Sequence, residues 1–145
     1  MYKHILLPTD GSEISTRLTR QCLAYAKESG ASVIGIHVLS TICSPLHQPE
    51  PQDYNRKQYE HECATRGRLC LAEVVEQARE LGVPCETVLL HDDEPHRAIL
   101  QVAYQRGCDL ICIATHSHGG IKPLMLGSVT LQVLLNSKIP VLVMR

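Results

Sequence analysis

The strongest constraint on this chain is that its apolar runs do not alternate. Ser32 to Leu39 (SVIGIHVL) is apolar at nearly every position, and Asp109 to Thr115 (DLICIAT) is a second apolar, β-branched and cysteine-containing run. A strand with one face in water alternates polar and apolar side chains. Continuous apolarity is what a parallel strand requires when helices cover both faces. The intervening segments supply those helices. Lys3 to Leu7 reads as a first short strand, ended by Pro8-Thr9-Asp10-Gly11. Ser12 then caps a helix whose stripe is Leu18, Cys22, Leu23, Tyr25 and Ala26, and Ser29-Gly30 terminates it.

After the second strand, Ser40 to Asp53 carries three prolines and no period, so it reads as a loop. A helical pattern runs from about Tyr54 to Leu81, with Leu69, Ala72, Val74, Val75, Ala78 and Leu81 tracing its apolar side, and Gly82-Val83-Pro84 ends it. Cys85 to Leu90 is a third strand. Pro95 starts a helix carrying Ile99, Val102 and Ala103 that ends at Gly107. Asp109 to Thr115, a helix from about Ser128 to Asn136 and a last strand, Val141 to Met144, complete the order β-α-β-α-β-α-β-α-β. Right-handed crossovers turn this order into an open, doubly wound, Rossmann-like sheet of five parallel strands flanked by four helices. The expected unit is one domain over residues 1–145, a length that suits a single full core.

Composition excludes several functions. With 14 Lys and Arg against 15 Asp and Glu there is no basic excess to hold a phosphate backbone, and five Tyr are the only aromatic residues, so nucleic acid is not expected as a partner. No apolar run approaches the roughly 18 residues of a membrane span, and Met1-Tyr2-Lys3-His4 leads into a strand rather than a signal peptide; a cytoplasmic, soluble protein is expected. Seven Cys form no CxxC pair. In such a chain they read as small buried hydrophobes, with Cys22 and Cys70 on helix faces and Cys112 in a strand. His61-Glu62-Cys63 and His116-Ser117-His118 are the only close ligand pairs, too few for a zinc site, so no metal site is assigned. Cys43 and Cys63 are the candidates for oxidation, although no positive cluster lowers their pKa.

In an open doubly wound sheet the ligand crevice lies beyond the carboxyl ends of the strands, at the point where strand order reverses. That rule selects Pro8-Thr9-Asp10-Gly11 after the first strand, Val38 at the end of the second, His91-Asp92-Asp93 after the third and Thr115-His116-Ser117 after the fourth. Asp10 suits a ribose or adenine hydrogen bond and equally suits a cap for the helix near Ser12. Asp92, Asp93 and Glu94 read as favourable charges at a helix N-terminus. Gly127-Ser128-Val129-Thr130 opens the fourth helix, where unpartnered backbone N–H groups and the helix dipole form an anion cradle.

These residues carry a resemblance that covers the whole chain. The opening Tyr2-Lys3-His4-Ile5-Leu6-Leu7-Pro8-Thr9-Asp10-Gly11-Ser12, together with Leu126-Gly127-Ser128-Val129 and Pro140-Val141-Leu142-Val143, resembles the universal stress protein family. The resemblance implies a homodimer joined through the last strand, Val141–Met144, and, in one subgroup, ATP bound along a Gly-x2-Gly-x9-Gly-Ser/Thr motif. It carries Pro8, Thr9, Asp10 and Val38 to the adenosine side, and Ala114, Thr115, Ser117, Gly127, Ser128, Val129 and Thr130 to the phosphate side; His116 and His118, from their place in the loop, read as phosphate contacts.

The motif is half intact. Gly127-Ser128 and the spacer His118 to Leu126 are present, whereas Ala114 and Ser117 stand at the two earlier glycine positions. A serine forced to positive φ costs on the order of 1 kcal/mol, though its hydroxyl can bond a phosphate. Gly119-Gly120 offers a substitute loop, with His116 or His118 approaching the phosphates and affinity rising below about pH 6.5. The expected function is an adenine-nucleotide-binding regulatory stress protein using ATP or AMP, with Mg2+ accompanying the triphosphate. The alternative is a dimeric interaction protein that has lost the nucleotide. No catalytic residue is assigned, since slow ATP hydrolysis would need an oriented water and the chain has no GxxxxGK[ST] signature.

Overall fold

A computed structural model describes residues 1–40, 53–115 and 127–145. Five strands and four helices follow one another: β1 (His4–Pro8), α1 (Glu13–Ser29), β2 (Ser32–Leu39), α2 (Asp53–Leu81), β3 (Cys85–His91), α3 (Pro95–Gln105), β4 (Leu110–Ala114), α4 (Ser128–Asn136) and β5 (Val141–Met144). The strands form one parallel sheet in the order β3-β2-β1-β4-β5, so the chain starts at the centre, builds outward to β3 and then crosses back to β4. The strand order reverses between β1 and β4, which places the crevice at their carboxyl ends.

Both faces of the sheet are buried, as the unbroken apolar runs require. Ile5, Leu7, Val33, Leu110 and Cys112 meet Leu18, Cys22, Leu23 and Ala26 of α1 and Val74 and Ala78 of α2 on one side. On the other, Leu6, Ile34, Ile36, Ile111 and Ile113 meet α3 and Val133 of α4. Alternate residues of one strand thus serve two cores. Ser12 caps α1 by accepting a hydrogen bond from the Ser15 amide at 3.2 Å, and Gly30, at φ 63°, ends it in the left-handed turn that a Cβ would strain.

Of the apolar side expected for α2, Val74 and Ala78 are buried and Leu81 packs against the core, whereas the rest is not. Leu69, Ala72 and Val75 face solvent, with Leu69 63% exposed, while Gly67, Leu71, Val74 and Ala78 turn to the sheet. Close approach decides between the two stripes. A Cβ on Gly35 of β2 would stand 3.4 Å from Val74 and 3.5 Å from Leu71, and one on Gly67 would fall 2.8 Å from the His37 ring. Bare backbone on both elements lets helix and sheet pack, and that gain outweighs burial of Leu69 and Val75. Smaller differences lie at strand ends. Pro8 and His91 belong to strands rather than loops, Lys3 precedes β1, and Asp53 begins α2.

Asp109 has a role its place in an apolar run does not suggest. Its carboxylate accepts the amide of His4 at 2.9 Å and that of Lys3 at 2.9 and 3.1 Å, fastening the start of β1 to β4. Burial works against its charge, but the amides of His4 and Lys3 outweigh it and hold the carboxyl below its usual range.

Candidate functional site

Two short segments meet at the strand-order reversal. The first follows β1. The Thr9 amide donates to the Ile36 carbonyl at 2.9 Å, and the Thr9 hydroxyl lies against the Ser15 hydroxyl and 3.4 Å from the Cys70 thiol. His37 donates from Nδ1 to the Thr9 carbonyl at 2.9 Å, since a carbonyl can only accept. Asp10 accepts the Ser12 amide at 2.9 Å, which tightens the turn ahead of α1 while Ser12 itself caps the helix. Asp10 is nonetheless exposed at the rim, and Gly11 reaches φ 79° beside Cys70.

Burial pushes the Cys70 thiol up, the Asp10 and Glu73 charges add to this, and the Thr9 contact opposes it. It is therefore a weak nucleophile. Burial likewise holds the His37 imidazole below its usual value, against the opposing pull of the Thr9 carbonyl and the Asp10 charge.

The second segment joins β4 to α4. Ala114 is a buried strand residue paired with Met144. Its backbone is extended, so the methyl group that replaces a motif glycine meets no conformational penalty there. The Thr115 amide donates to the Met144 carbonyl at 2.9 Å. Thr130, only 1% exposed, donates its hydroxyl to the Ala114 carbonyl at 2.8 Å and so ties the first turn of α4 to the end of β4.

Gly127 precedes that helix at φ −57°, ψ 151°, and no side chain caps the first turn among the described residues. The contrast with α1 is direct. At α4 a glycine stands where Ser12 stands at α1, and no side chain of the described residues takes the first-turn amides at the positive end of the dipole.

Of the residues selected from sequence, the structure brings Thr9, Asp10, Ala114, Thr115, Gly127 and Ser128 to the carboxyl ends of the adjacent β1 and β4 and the start of α4. Pro8 closes β1, its Cα paired with Ile36. Val38 and Val129 pack against the apolar core on the α3 and α4 side, and the Thr130 hydroxyl points to Ala114; their polar contribution to a ligand is therefore confined to backbone. His116, Ser117, His118, Gly119-Gly120 and the spacer through Leu126 lie outside the described residues, as does most of the loop expected from Ser40 to Asp53, Cys43 included. Asp92 accepts the Glu94 amide at 2.9 Å, and Glu94 pairs with Arg97, so these acids organise the start of α3.

Sequence reasoning missed His37, Ser15 and Cys70. The lone His within SVIGIHVL was an available signal, a polar ring at the carboxyl end of a buried strand. Nothing in the sequence pointed to Cys70, which comes to Thr9 from 61 positions away.

Comparison with known proteins agrees with this architecture. The pattern of the Universal stress protein family matches residues 1–145. A universal stress protein of Thermus aquaticus is 35% identical over 147 residues, with both chains fully covered. Among solved structures, the MJ0577 protein superposes with a TM-score of 0.83 at 25% identity, covering 99% of this chain and 95% of its own. A universal stress protein of Archaeoglobus fulgidus in complex with dAMP matches with a TM-score of 0.71 at 23% identity, covering 99% of this chain and 98% of its own. A universal stress protein in complex with cAMP gives 0.72 at 23%, covering 99% and 97%.

Proposed function

Because the chain belongs to the universal stress protein family, we propose that it is an adenine-nucleotide-binding regulatory protein of the stress response that acts as a cytoplasmic homodimer. The observation that carries the reading is the N-terminus of α4 beside the end of β4, where a glycine holds the N-cap position and no side chain of the described residues caps the first turn. A phosphate there accepts first-turn amides, and the dipole favours its charge. The nucleoside then lies toward β1 and β2, where Asp10 offers a carboxylate to ribose or adenine and Pro8, Thr9 and Val38 supply the wall. That relatives of the same fold hold dAMP and cAMP supports a nucleoside monophosphate as the minimal ligand. ATP would bring Mg2+ with it on phosphate oxygens. No residue is assigned a catalytic role.

Dimerisation is proposed through β5. It is an edge strand of the sheet that a second copy would cover about a two-fold axis, with exposed Leu131 (42%) and Leu135 (70%) on α4 and Leu142 (42%) on the other face of β5.

Calorimetric titration with AMP and ATP tests the nucleotide reading, with amide shifts at Gly127 to Thr130 as the expected signature. No binding, together with no nucleotide retained on gentle purification, would leave the dimeric interaction protein as the function. That alternative draws support from Ala114 and Ser117 in place of two motif glycines. A sedimentation profile holding only the 16.1 kDa monomer at micromolar concentration would remove the dimer.

A further inference from the structure

The opposite rim of the sheet holds a cavity. It has a volume of about 300 Å3 and lies at the amino ends of β1, β2 and β3, lined by His4, Ser32, Ile34, Pro84, Glu86 and Arg106 among others. Strand parity builds its floor. His4 shares a face with Leu6, Ser32 with Ile34, and Glu86 with Val88 and Leu90, so all of these turn to the α3 side of the sheet. The register sets His4 beside Ser32, joined through Nδ1 and the hydroxyl at 2.9 Å, and sets Ile34 beside Glu86. Arg106, the C-cap of α3, closes the cavity from the helix side.

Charge is divided across this space. Glu86 supplies a carboxylate and Arg106 a guanidinium, and the His4 ring, held by Ser32, adds a ring nitrogen to the lining. The Arg106–Glu86 pair itself is loose, a single 3.3 Å contact between side chains that are 51% and 70% exposed. Such a pair contributes little to stability and opens readily for a ligand that satisfies both partners. Ile34 and Pro84 supply apolar wall, and the volume falls at the small end of small-molecule sites.

We propose that this cavity binds a small zwitterion of the free α-amino acid class, its carboxylate on Arg106 and His4 and its ammonium on Glu86. The site is separate from the nucleotide crevice, at the other end of the same β1 and β2 strands.

The test is a 15N-correlation titration of the full chain with the common L-α-amino acids added singly at millimolar concentration. At least one should shift the amides of His4, Ser32, Glu86 and Arg106 while leaving Thr9, Asp10 and Gly127 in place. Its N-acetyl and its carboxamide forms, each lacking one charge, should bind at least about tenfold more weakly, as should the zwitterion to Arg106→Gln and Glu86→Gln. Both variants remove only an exposed ion pair, and an unchanged melting temperature verifies their fold. The proposal is overturned if no amino acid moves those amides, if the N-acetyl form binds as well as the zwitterion, or if the shifts appear at Thr9 and Gly127 instead.

Discussion

The segment after β1 and the segment before α4 face the same crevice but are finished differently. After β1, the backbone and side chains of Thr9 are bonded to Ile36, Ser15, Cys70 and His37, Asp10 secures its own turn, and Ser12 closes the helix. Before α4, Thr130 anchors the helix to β4, and its N-terminus is left to Gly127. One half of the rim is bonded among its own side chains; at the other, no side chain of the described residues caps the helix. The nucleotide proposed above would set its base and ribose against the first and its phosphate at the second.

The difference can be attacked from either side, beginning with the largest expected effect on stability. Gly67→Ala drives a methyl to 2.8 Å from the His37 ring and 3.0 Å from Leu89; a loss of about 1–3 kcal/mol is expected in urea denaturation, with the His37–Thr9 bond disrupted. Thr9→Val keeps the shape of a buried side chain but removes the Thr9 partner of the Ser15 hydroxyl, leaving it the Asp10 amide at 3.3 Å, for a loss of about 1 kcal/mol by the same measurement. Ser12→Ala opens α1 and should remove about 1 kcal/mol without changing AMP affinity.

Gly127→Asp does the converse at α4, placing a capping side chain where Gly127 has none. Stability should move by only a few tenths of a kcal/mol, whereas calorimetric AMP affinity should fall at least about tenfold as a carboxylate occupies the phosphate position. Unchanged affinity would show that α4 is not the phosphate site.

The smallest effect is that of pH on the closed half. Burial lowers the His37 pKa from 6.5 in the folded chain, so folding favours the neutral ring. Its contribution is fully present above about pH 6.5 and is lost as pH falls from there through the lowered folded value. Thermal melts should therefore decline less steeply on acidification below pH 6.5 in His37→Asn than in the parent.

The fold was legible because burial on both faces of a strand leaves a direct mark on composition. SVIGIHVL and the glycine terminator Gly30 could be read one residue at a time. The face of α2 could not, because it depends on Gly35 of β2 meeting Leu71 and Val74, a contact no local periodicity encodes. The site divides in the same way. Thr9 and Asp10 follow from the rule for strand ends and Gly127 and Ser128 from the glycine that opens a helix, and Asp10 serves a turn as well as the rim. Cys70 and the fastening of β1 by Asp109 arise from chain separations of 61 and about a hundred residues, and only the closed sheet reveals them.

The position of β1 also dictates the order in which the molecule can be completed. During synthesis β1 finds β2 within some thirty residues (His4 with Ser32), but its other neighbour, β4, emerges only after Leu110. Until then the central strand has one bare flank and the Lys3 and His4 amides await Asp109. Pairing across such a separation is slow to nucleate, so the half-sheet β1-β2-β3 is the species in greatest need of protection on the ribosome.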